Sequence, residues 1–266
     1  MAGLLAGQTA LVTGGGNGIG AAIARGFVEA GASVVVADRD AAGAERVAKE
    51  IGGRAMALDV SDEAAVAEAF GALKGLDTLV NNAGLVPPQR RVEEIDAAEW
   101  DKVFAVNVRG AMLCSRAAVP LMRAGGGGSI VNIASITGWA PDPKLAAYSA
   151  SKAAVIAMTD AMAQDLGPYR IRVNAISPGT VASEALMGRI EGRAKARGEP
   201  VEDSLARDFY SKIALDRLIL PEEVAKAAIF LASDLSSAVT GGITRLDGGY
   251  MFFPRRDETQ PIVPTM

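Results

Sequence analysis

Three residue types suited to proton transfer stand close together in the middle of the chain. Tyr148 and Lys152 are four residues apart in the segment YSASK, and Ser135 precedes Tyr148 by thirteen residues. Four residues make just over one helical turn, so on a helix the phenol and the ammonium share one face, where the cation can stabilise a phenolate. Since a glycine-rich turn lies upstream, the pattern predicts a hydride-transfer site.

That glycine-rich turn predicts a dinucleotide site. The segment TGGGNGIG at residues 13–20 follows a predicted strand and opens a predicted helix. Its backbone N–H groups and the positive helix end would meet a pyrophosphate, and a side chain at Gly14 or Gly18 would block that approach. Asp38 stands 18 residues beyond Gly20, at the end of the second predicted strand, where its carboxylate can accept both hydroxyls of an adenosine ribose.

The residues around that carboxylate favour NAD over NADP. Asp38 would repel a 2′-phosphate, and Asn17 in the glycine-rich turn offers no cation. Arg39 is evidence for NADP instead, because a guanidinium at this position can bind a 2′-phosphate, although it can also stack on adenine. Preference for NADP therefore stays open as an alternative.

Composition narrows the class of protein. The 266 residues are 50% hydrophobic, which is ample for a packed core, and the net charge of -4 argues against a nucleic-acid partner. No apolar run of membrane-spanning length and no secretory leader are present, so we expect a cytoplasmic enzyme. The chain has no histidine and a single cysteine, Cys114, which excludes Ser-His-Asp hydrolysis and His-bearing zinc sites. We expect no metal.

Short apolar runs alternate with helical patterns and predict an α/β fold. The runs, apolar at successive positions, are typical of strands covered on both faces, and right-handed crossovers then give one doubly wound Rossmann domain over residues 1–266. Its sheet would have seven parallel strands with helices on both faces. The predicted strands are Thr9–Thr13, Ser33–Ala37, Arg54–Leu58, Thr78–Val80, Ser129–Ile133, Ile171–Ile176 and Ile243–Leu246. The predicted helices are Gly18–Ala30, Ala41–Ile51, Asp62–Leu73 with Ser61 as N-cap, Asp96–Arg123, Ala147–Leu166 and Pro221–Ala232.

With these motifs in place, the chain resembles the classical short-chain dehydrogenase/reductases from about residue 4 to residue 249. The resemblance rests on the TGxxxGxG turn, the pair Asp59-Val60, the segment NNAG at residues 81–84, the segment VNVRG around Asn107, the YxxxK pair and the segment PGTV at residues 178–181. It implies a catalytic tetrad of Asn107, Ser135, Tyr148 and Lys152. It also implies a set of cofactor-binding residues: Gly14, Asn17, Gly18, Ile19, Gly20, Asp38, Arg39, Asp59, Val60, Asn82, Ala83, Gly84, Tyr148, Lys152, Pro178, Gly179, Val181 and Ser183.

The resemblance implies an NAD-dependent oxidoreductase that transfers a hydride between a secondary alcohol and its ketone, with Tyr148 as general acid/base. A phenol is a poor base at pH 7, but one unit charge at about 4 Å contributes roughly 4 kcal/mol, or about three pKa units, so we expect Lys152 and the positive nicotinamide to lower the pKa. Two alternatives stay open: an NADPH-dependent reductase of 3-oxoacyl thioesters, and a non-catalytic nucleotide-sensing or scaffold protein. The family resemblance further implies that Asn107 bends its helix, that its backbone carbonyl holds a water leading to Lys152, and that the protein forms a homotetramer.

Substrate selection is expected from residues near Ser135 and Tyr148 and from a lid over about residues 183–215. The candidate substrate contacts are Thr137, Trp139, Leu145, Val86 and Pro87, although Trp139 is equally suited to the core or an interface. The lid carries four cations within residues 188–197, which either form a solvated face or bind a charged substrate. A C-terminal tail, residues 250–266, is expected to pack across a subunit interface or onto its own subunit.

Overall fold

The computed structural model describes residues 3–250 and contains a single seven-stranded parallel sheet. Its order, β3-β2-β1-β4-β5-β6-β7, reverses direction at β1, where β2 lies on one side and β4 on the other. The predicted fold class is confirmed. The strands are β1 Thr9–Thr13, β2 Ser33–Asp38, β3 Arg54–Ala57, β4 Thr78–Asn81, β5 Gly128–Ile133, β6 Ile171–Pro178 and β7 Ile243–Leu246.

Helices cover both faces of this sheet, as the continuous apolar runs predict. In β2, Val34 and Val36 face a cluster that contains Phe27, whereas Val35 between them faces a second cluster that contains Phe70. Alternate strand residues point to opposite faces, so a strand buried on both sides must be apolar at every position. The helices are α1 Gly18–Glu29, α2 Ala41–Ile51, α3 Glu63–Gly71, α4 Ala97–Phe104, α5 Ala111–Ala124, α6 Ala146–Leu166, α7 Glu184–Arg197, α8 Val201–Asp208 and α9 Pro221–Ala232.

The prediction of one continuous helix over Asp96–Arg123 is wrong. A π-helical segment, Ala105–Gly110, separates α4 from α5. Asn107 lies in this segment, and its side-chain amide binds the backbone of Leu85 rather than pointing to solvent. A tertiary contact of this kind offers the backbone an alternative to regular α-helical geometry, and a sequence pattern cannot show it.

The predicted N-cap of α3 is also wrong by one residue. Asp62 caps the helix, because its carboxylate accepts hydrogen bonds from the N–H groups of Ala64 and Ala65. Ser61 instead donates its hydroxyl and its N–H to the carboxylate of Asp59. Both residue types are good caps, so local preference alone did not separate them.

The lid is helical, as expected, and consists of α7, α8 and a short 3-10 turn, Tyr210–Lys212. Ser183 begins it by accepting a hydrogen bond from the N–H of Leu186 at 3.3 Å. A separate apolar cluster, which includes Ile190, Leu205 and Ile213, holds these elements together. Apart from Tyr250, the C-terminal tail lies outside the described residues. Within residues 3–250, no helix is both long and apolar enough to cross a membrane.

Candidate active site

Two adjoining cavities open at the carboxyl ends of the strands, where the sheet order reverses. This is the place where doubly wound sheets bind ligands, because the chain continues from β1 and from β4 toward opposite faces of the sheet. The first cavity, of about 580 Å³, lies along the glycine-rich turn, and the second, of about 420 Å³, lies beneath the lid. They share lining residues, namely Ile19, Asn82, Gly84 and Ser183.

The first cavity, called here the dinucleotide groove, brings together most of the residues that the sequence assigns to the cofactor. Twelve of the predicted residues line it, and five others line the second cavity. Those in the groove are Gly14, Asn17, Gly18, Ile19, Asp38, Arg39, Asp59, Val60, Asn82, Ala83, Gly84 and Ser183. Those in the second cavity are Tyr148, Lys152, Pro178, Gly179 and Val181. Gly20 lines neither, because it is buried behind the turn.

Two glycines of the turn are required for different reasons. Gly18 has a positive φ of 50°, and a Cβ there would meet nothing within 4 Å, so it faces open space in the groove. A Cβ on Gly14 would instead lie 2.8 Å from the Cα of Ala83. Gly14 is therefore needed so that the turn can pack against the segment after β4, and not only for access by a ligand.

Asp38 is held at the end of β2 by the glycine-rich turn itself. One carboxylate oxygen accepts the N–H of Gly16 and the other accepts the N–H of Asp40, both at 2.9 Å. These bonds fix the carboxylate at the wall of the groove, and each oxygen retains a further lone pair. Arg39, next along the chain, is exposed at the same end of the groove.

Thr13 joins the turn to the segment after β4, a role that the sequence motifs did not reveal. Its hydroxyl accepts the N–H groups of Asn82 and Ala83, both at 3.1 Å. In return, the side-chain amide of Asn82 donates to the carbonyls of Thr13 and Gly14 at 3.0 and 2.9 Å. The floor of the groove is thereby built from two loops that are nearly seventy residues apart in the sequence.

The second cavity, called here the catalytic cavity, contains Ser135, Tyr148 and Lys152 together. Ser135 lies two residues after the end of β5, and Tyr148 and Lys152 lie one turn apart on α6, as predicted. The Ser135 hydroxyl accepts hydrogen bonds from the N–H and the hydroxyl of Thr137, at 3.2 and 3.0 Å. Because its lone pairs are engaged in this way, its own proton is free to be donated toward Tyr148 or a ligand oxygen.

Lys152 is almost fully buried, and its ammonium donates to the carbonyl of Ile133 at 2.7 Å. Burial lowers the pKa of Lys152 to about 8, because an apolar environment disfavours the charged form. The ammonium nitrogen lies 5.7 Å from the centroid of the Tyr148 ring.

The pKa of Tyr148 is raised above its ordinary value, contrary to the lowering expected from the sequence. Burial of the phenol is the main cause, a hydrogen bond with Ser135 opposes it, and the negative charge of Asp142 raises the pKa further. In the protein alone, desolvation of the phenolate therefore outweighs the help from neighbouring groups.

Asn107 lies behind the catalytic cavity rather than on its surface. Its side-chain amide exchanges two hydrogen bonds with the backbone of Leu85, at 2.7 and 3.1 Å, and donates to the Ser151 hydroxyl at 3.0 Å. Ser151 in turn donates to the carbonyl of Tyr148. The four predicted catalytic residues thus lie around one point, but Asn107 contacts the others through the backbone and Ser151.

The predicted substrate contacts are only partly supported by the geometry. Thr137, Leu145 and Val86 line the catalytic cavity, whereas Pro87 and Trp139 do not, and the Trp139 indole donates to the Ser177 hydroxyl at 3.3 Å. Other polar groups also line the cavity. Thr180, Arg189 and Tyr250 belong to segments that the sequence associates with the nicotinamide, the lid and the tail, whereas Asp142, Asp208 and Lys212 were not predicted, because they come from a distant loop and from the far end of the lid.

Known proteins with similar sequences include several oxidoreductases. A family model described as enoyl-(acyl carrier protein) reductase matches residues 14–251. An uncharacterized oxidoreductase of Thermotoga maritima is 41% identical over 253 residues, which cover 91% of this chain and 97% of the relative. A D-threitol dehydrogenase of Mycolicibacterium smegmatis is 38% identical, covering 92% of this chain and 94% of its own.

A solved structure is similar to this protein in both fold and sequence. The crystal structure of a 3-ketoacyl-(acyl-carrier-protein) reductase from Brucella melitensis complexed with NADH superposes with a TM-score of 0.81. Its sequence is 38% identical, and the match covers 92% of this chain and 98% of that one.

Replacing Asp142 tests the electrostatics of the cavity without reference to any ligand. Since the charge of Asp142 raises the pKa of Tyr148, Asp142→Asn is expected to lower that pKa. The titration can be followed by NMR of isotope-labelled tyrosine, with the Tyr148 signal assigned from Tyr148→Phe. Asp101→Asn, at an exposed site that lines neither cavity, should leave the midpoint unchanged. An unchanged or higher midpoint in Asp142→Asn would contradict this account.

Proposed function

Because the chain belongs to the classical short-chain dehydrogenase/reductase family, we propose that it is an NAD-dependent oxidoreductase that transfers a hydride between a secondary alcohol and its ketone. One observation carries the proposal. Ser135, Tyr148 and Lys152 lie in a small-molecule-sized cavity that adjoins a groove lined with the predicted dinucleotide-binding residues. A hydride donor and acceptor bound in adjoining sites can react without diffusing apart.

The residues of the groove fit a dinucleotide. The open space at Gly18 and the start of α1 suit a pyrophosphate, since backbone N–H groups and the helix dipole meet there. Asp38, fixed by two N–H groups, suits the hydroxyls of an adenosine ribose. Asp59 and Val60 would border the adenine, and the segments at residues 82–84 and 178–181 would border the nicotinamide half.

In the proposed reaction, NAD supplies the hydride acceptor. Tyr148 takes the proton of the alcohol hydroxyl as the carbon–hydrogen bond breaks and the carbonyl forms, and it returns the proton in the reverse direction. Ser135 donates its hydrogen bond to the developing carbonyl oxygen, and Thr137 keeps that hydroxyl oriented. The raised pKa of Tyr148 in the protein alone means that the phenolate needs a further positive charge nearby, which a bound oxidised nicotinamide would provide.

Lys152 and Asn107 support this proton transfer from behind. The Lys152 ammonium, with a pKa of about 8, would bind the nicotinamide ribose and pass protons between Tyr148 and solvent. Asn107 holds the loop after β4 and, through Ser151, the backbone of α6 at Tyr148. Its own backbone carbonyl would hold the water that completes the path.

An NADPH-dependent reductase of 3-oxoacyl thioesters is the second candidate. Two observations favour it: the exposed guanidinium of Arg39 in the groove, and the similarity to a 3-ketoacyl-(acyl-carrier-protein) reductase. A non-catalytic nucleotide-sensing role is the third. A panel of secondary alcohols, sugars, hydroxy acids and 3-oxoacyl thioesters, followed by the absorbance of reduced nicotinamide with each cofactor, separates the three. Nucleotide binding without turnover of any compound would favour the sensor.

Tyr148→Phe is expected to reduce turnover below about one-tenth of the original rate while NAD binding stays nearly unchanged. The phenol is needed for proton transfer, whereas the dinucleotide is held mainly by Asp38, Lys152 and the glycine-rich turn. Steady-state kinetics and calorimetric titration with NAD measure the two effects. Tyr169→Phe, at an exposed site that lines neither cavity, is the matched control. Turnover above about one-tenth in Tyr148→Phe would exclude this residue as the general base.

The ratio of kcat/KM with NAD to that with NADP is expected to favour NAD and to fall in Asp38→Ala. The substitution removes both the ribose acceptor and the charge that repels a 2′-phosphate. Arg39→Ala should change the ratio in the opposite direction if its guanidinium binds that phosphate. A native preference for NADP that is lost in Arg39→Ala would show that Arg39, rather than Asp38, decides the cofactor.

We also propose a homotetramer in which the C-terminal tail packs across a subunit interface and walls the substrate pocket of a neighbouring subunit; the alternative is a tail that folds onto its own subunit. Support comes from Tyr250, which lines the catalytic cavity and pairs with Ile213 of the lid just where the tail begins. Deletion of residues 251–266 should shift sedimentation toward dimers and raise KM for the alcohol more than KM for NAD. If the truncated protein remains the same oligomer with unchanged kinetics, the tail forms neither an interface nor a wall of the pocket.

A further inference from the structure

The outer wall of the catalytic cavity is formed by charged residues of the lid. Arg189 comes from α7, Asp208 from the end of α8 and Lys212 from the 3-10 turn, and Asp142 faces them from the loop after β5. Ser135, Tyr148 and Lys152 lie in the same cavity. A substrate that fills the cavity would therefore meet the reacting groups and the lid charges together.

Asp208 does not leave a free negative charge in this wall. Its two carboxylate oxygens each bind an arginine of the lid, Arg197 and Arg207, at 3.1 Å. Arg197 is one of the four cations at residues 188–197, and its charge is therefore already paired with a carboxylate of the lid. Arg193 and Lys195 from the same run are exposed and line neither cavity. Arg189 alone among the four lies in the catalytic cavity.

The two cations of the wall have no such partner. Among residues 3–250, neither Arg189 nor Lys212 forms an ion pair or a side-chain hydrogen bond. The positive charge of Lys212 lowers the pKa of Asp142 from a distance, but the two side chains do not form an ion pair. The wall therefore contains two uncommitted cations and one uncommitted carboxylate, which makes it an attractive place for an anion.

We propose that Arg189 and Lys212 form an anion subsite of the catalytic cavity, and that the substrate is a secondary alcohol or ketone that also carries a carboxylate or sulfonate group. The inference rests on the proposed function and specifies its substrate class. A guanidinium binds such a group through two parallel hydrogen bonds, and an ammonium adds a point charge. The apolar lining between the subsite and the reacting groups, which includes Leu145, Leu186 and Phe209, suits a hydrocarbon linker.

A pair of nearly isosteric substrates isolates the charge. The probes are 3-hydroxycyclohexanecarboxylate and its carboxamide, each assayed with NAD, and the corresponding sulfonate distinguishes between the two anions. The carboxylate is expected to have at least about tenfold higher kcat/KM than the carboxamide, and this advantage should vanish in the double variant Arg189→Gln/Lys212→Gln. In the double variant, turnover of the carboxamide should stay within about twofold of its value in the native protein.

Two further variants separate charge recognition from damage to the lid. Arg193→Gln, on the same helix but outside the cavity, should retain the full preference for the carboxylate. Asp142→Asn should increase that preference, because it removes a charge that repels the anion. Equal use of both probes by the native protein, or an equal loss for both in the double variant, would overturn the subsite while leaving the proposed oxidoreductase intact.

Binding of compounds without a hydroxyl makes the test independent of turnover. Calorimetry with cyclohexanecarboxylate and cyclohexanecarboxamide, in the presence of NAD, should give at least about tenfold tighter binding of the carboxylate, lost in the double variant. If no alcohol is oxidised, the proposed function fails and this measurement alone decides the subsite. Equal affinities for the two compounds would overturn it.

Discussion

The hydrogen bond from the buried Lys152 ammonium to the carbonyl of Ile133 is the interaction on which the site depends. An ammonium inside a protein is costly unless its donors are satisfied, so this bond requires α6 to lie against the end of β5. Ser135 follows Ile133 by two residues, and Tyr148 precedes Lys152 by one helical turn. The single contact therefore brings the hydroxyl and the phenol together, although they belong to different elements.

A second constraint acts from the opposite side, through the π-helical segment. Between α4 and α5 the backbone is π-helical rather than α-helical. In this segment the side-chain amide of Asn107 binds the loop after β4 and Ser151 on α6. Gly110 ends this segment, and a Cβ at that position would lie 2.7 Å from the Val60 side chain at the dinucleotide groove. The same distortion thus connects the groove with the catalytic cavity, which is typical of π-helical turns at functional sites.

The two ends of the catalytic cavity differ in their dielectric environment. Around Tyr148 and Lys152, burial controls the pKa values, raising one and lowering the other, so small changes in nearby charge have large effects on proton transfer. On the lid, charges are exposed to water, and the pairs among them contribute little to stability. Arg189 and Lys212 can therefore stand without partners at small cost, whereas the buried ammonium of Lys152 needs its hydrogen bond to the carbonyl of Ile133.

Alternation of apolar runs with helical patterns was sufficient to predict the seven-stranded parallel sheet, because strands buried on both faces must be apolar at every position. Motif spacing likewise predicted that Tyr148 and Lys152 lie side by side, since four residues span one helical turn, and the family resemblance added Ser135. The helical pattern ran on through Asn107, where only the family resemblance implied a bend. Local sequence did not predict the cap at Asp62, the exclusion of Trp139 from the cavity or the raised pKa of Tyr148. Each of these depends on groups that are distant in the sequence, on burial, or on competition between equally suitable neighbours. These features are determined only in the folded chain, because their energies depend on burial away from water and on contacts with residues that are distant in the sequence.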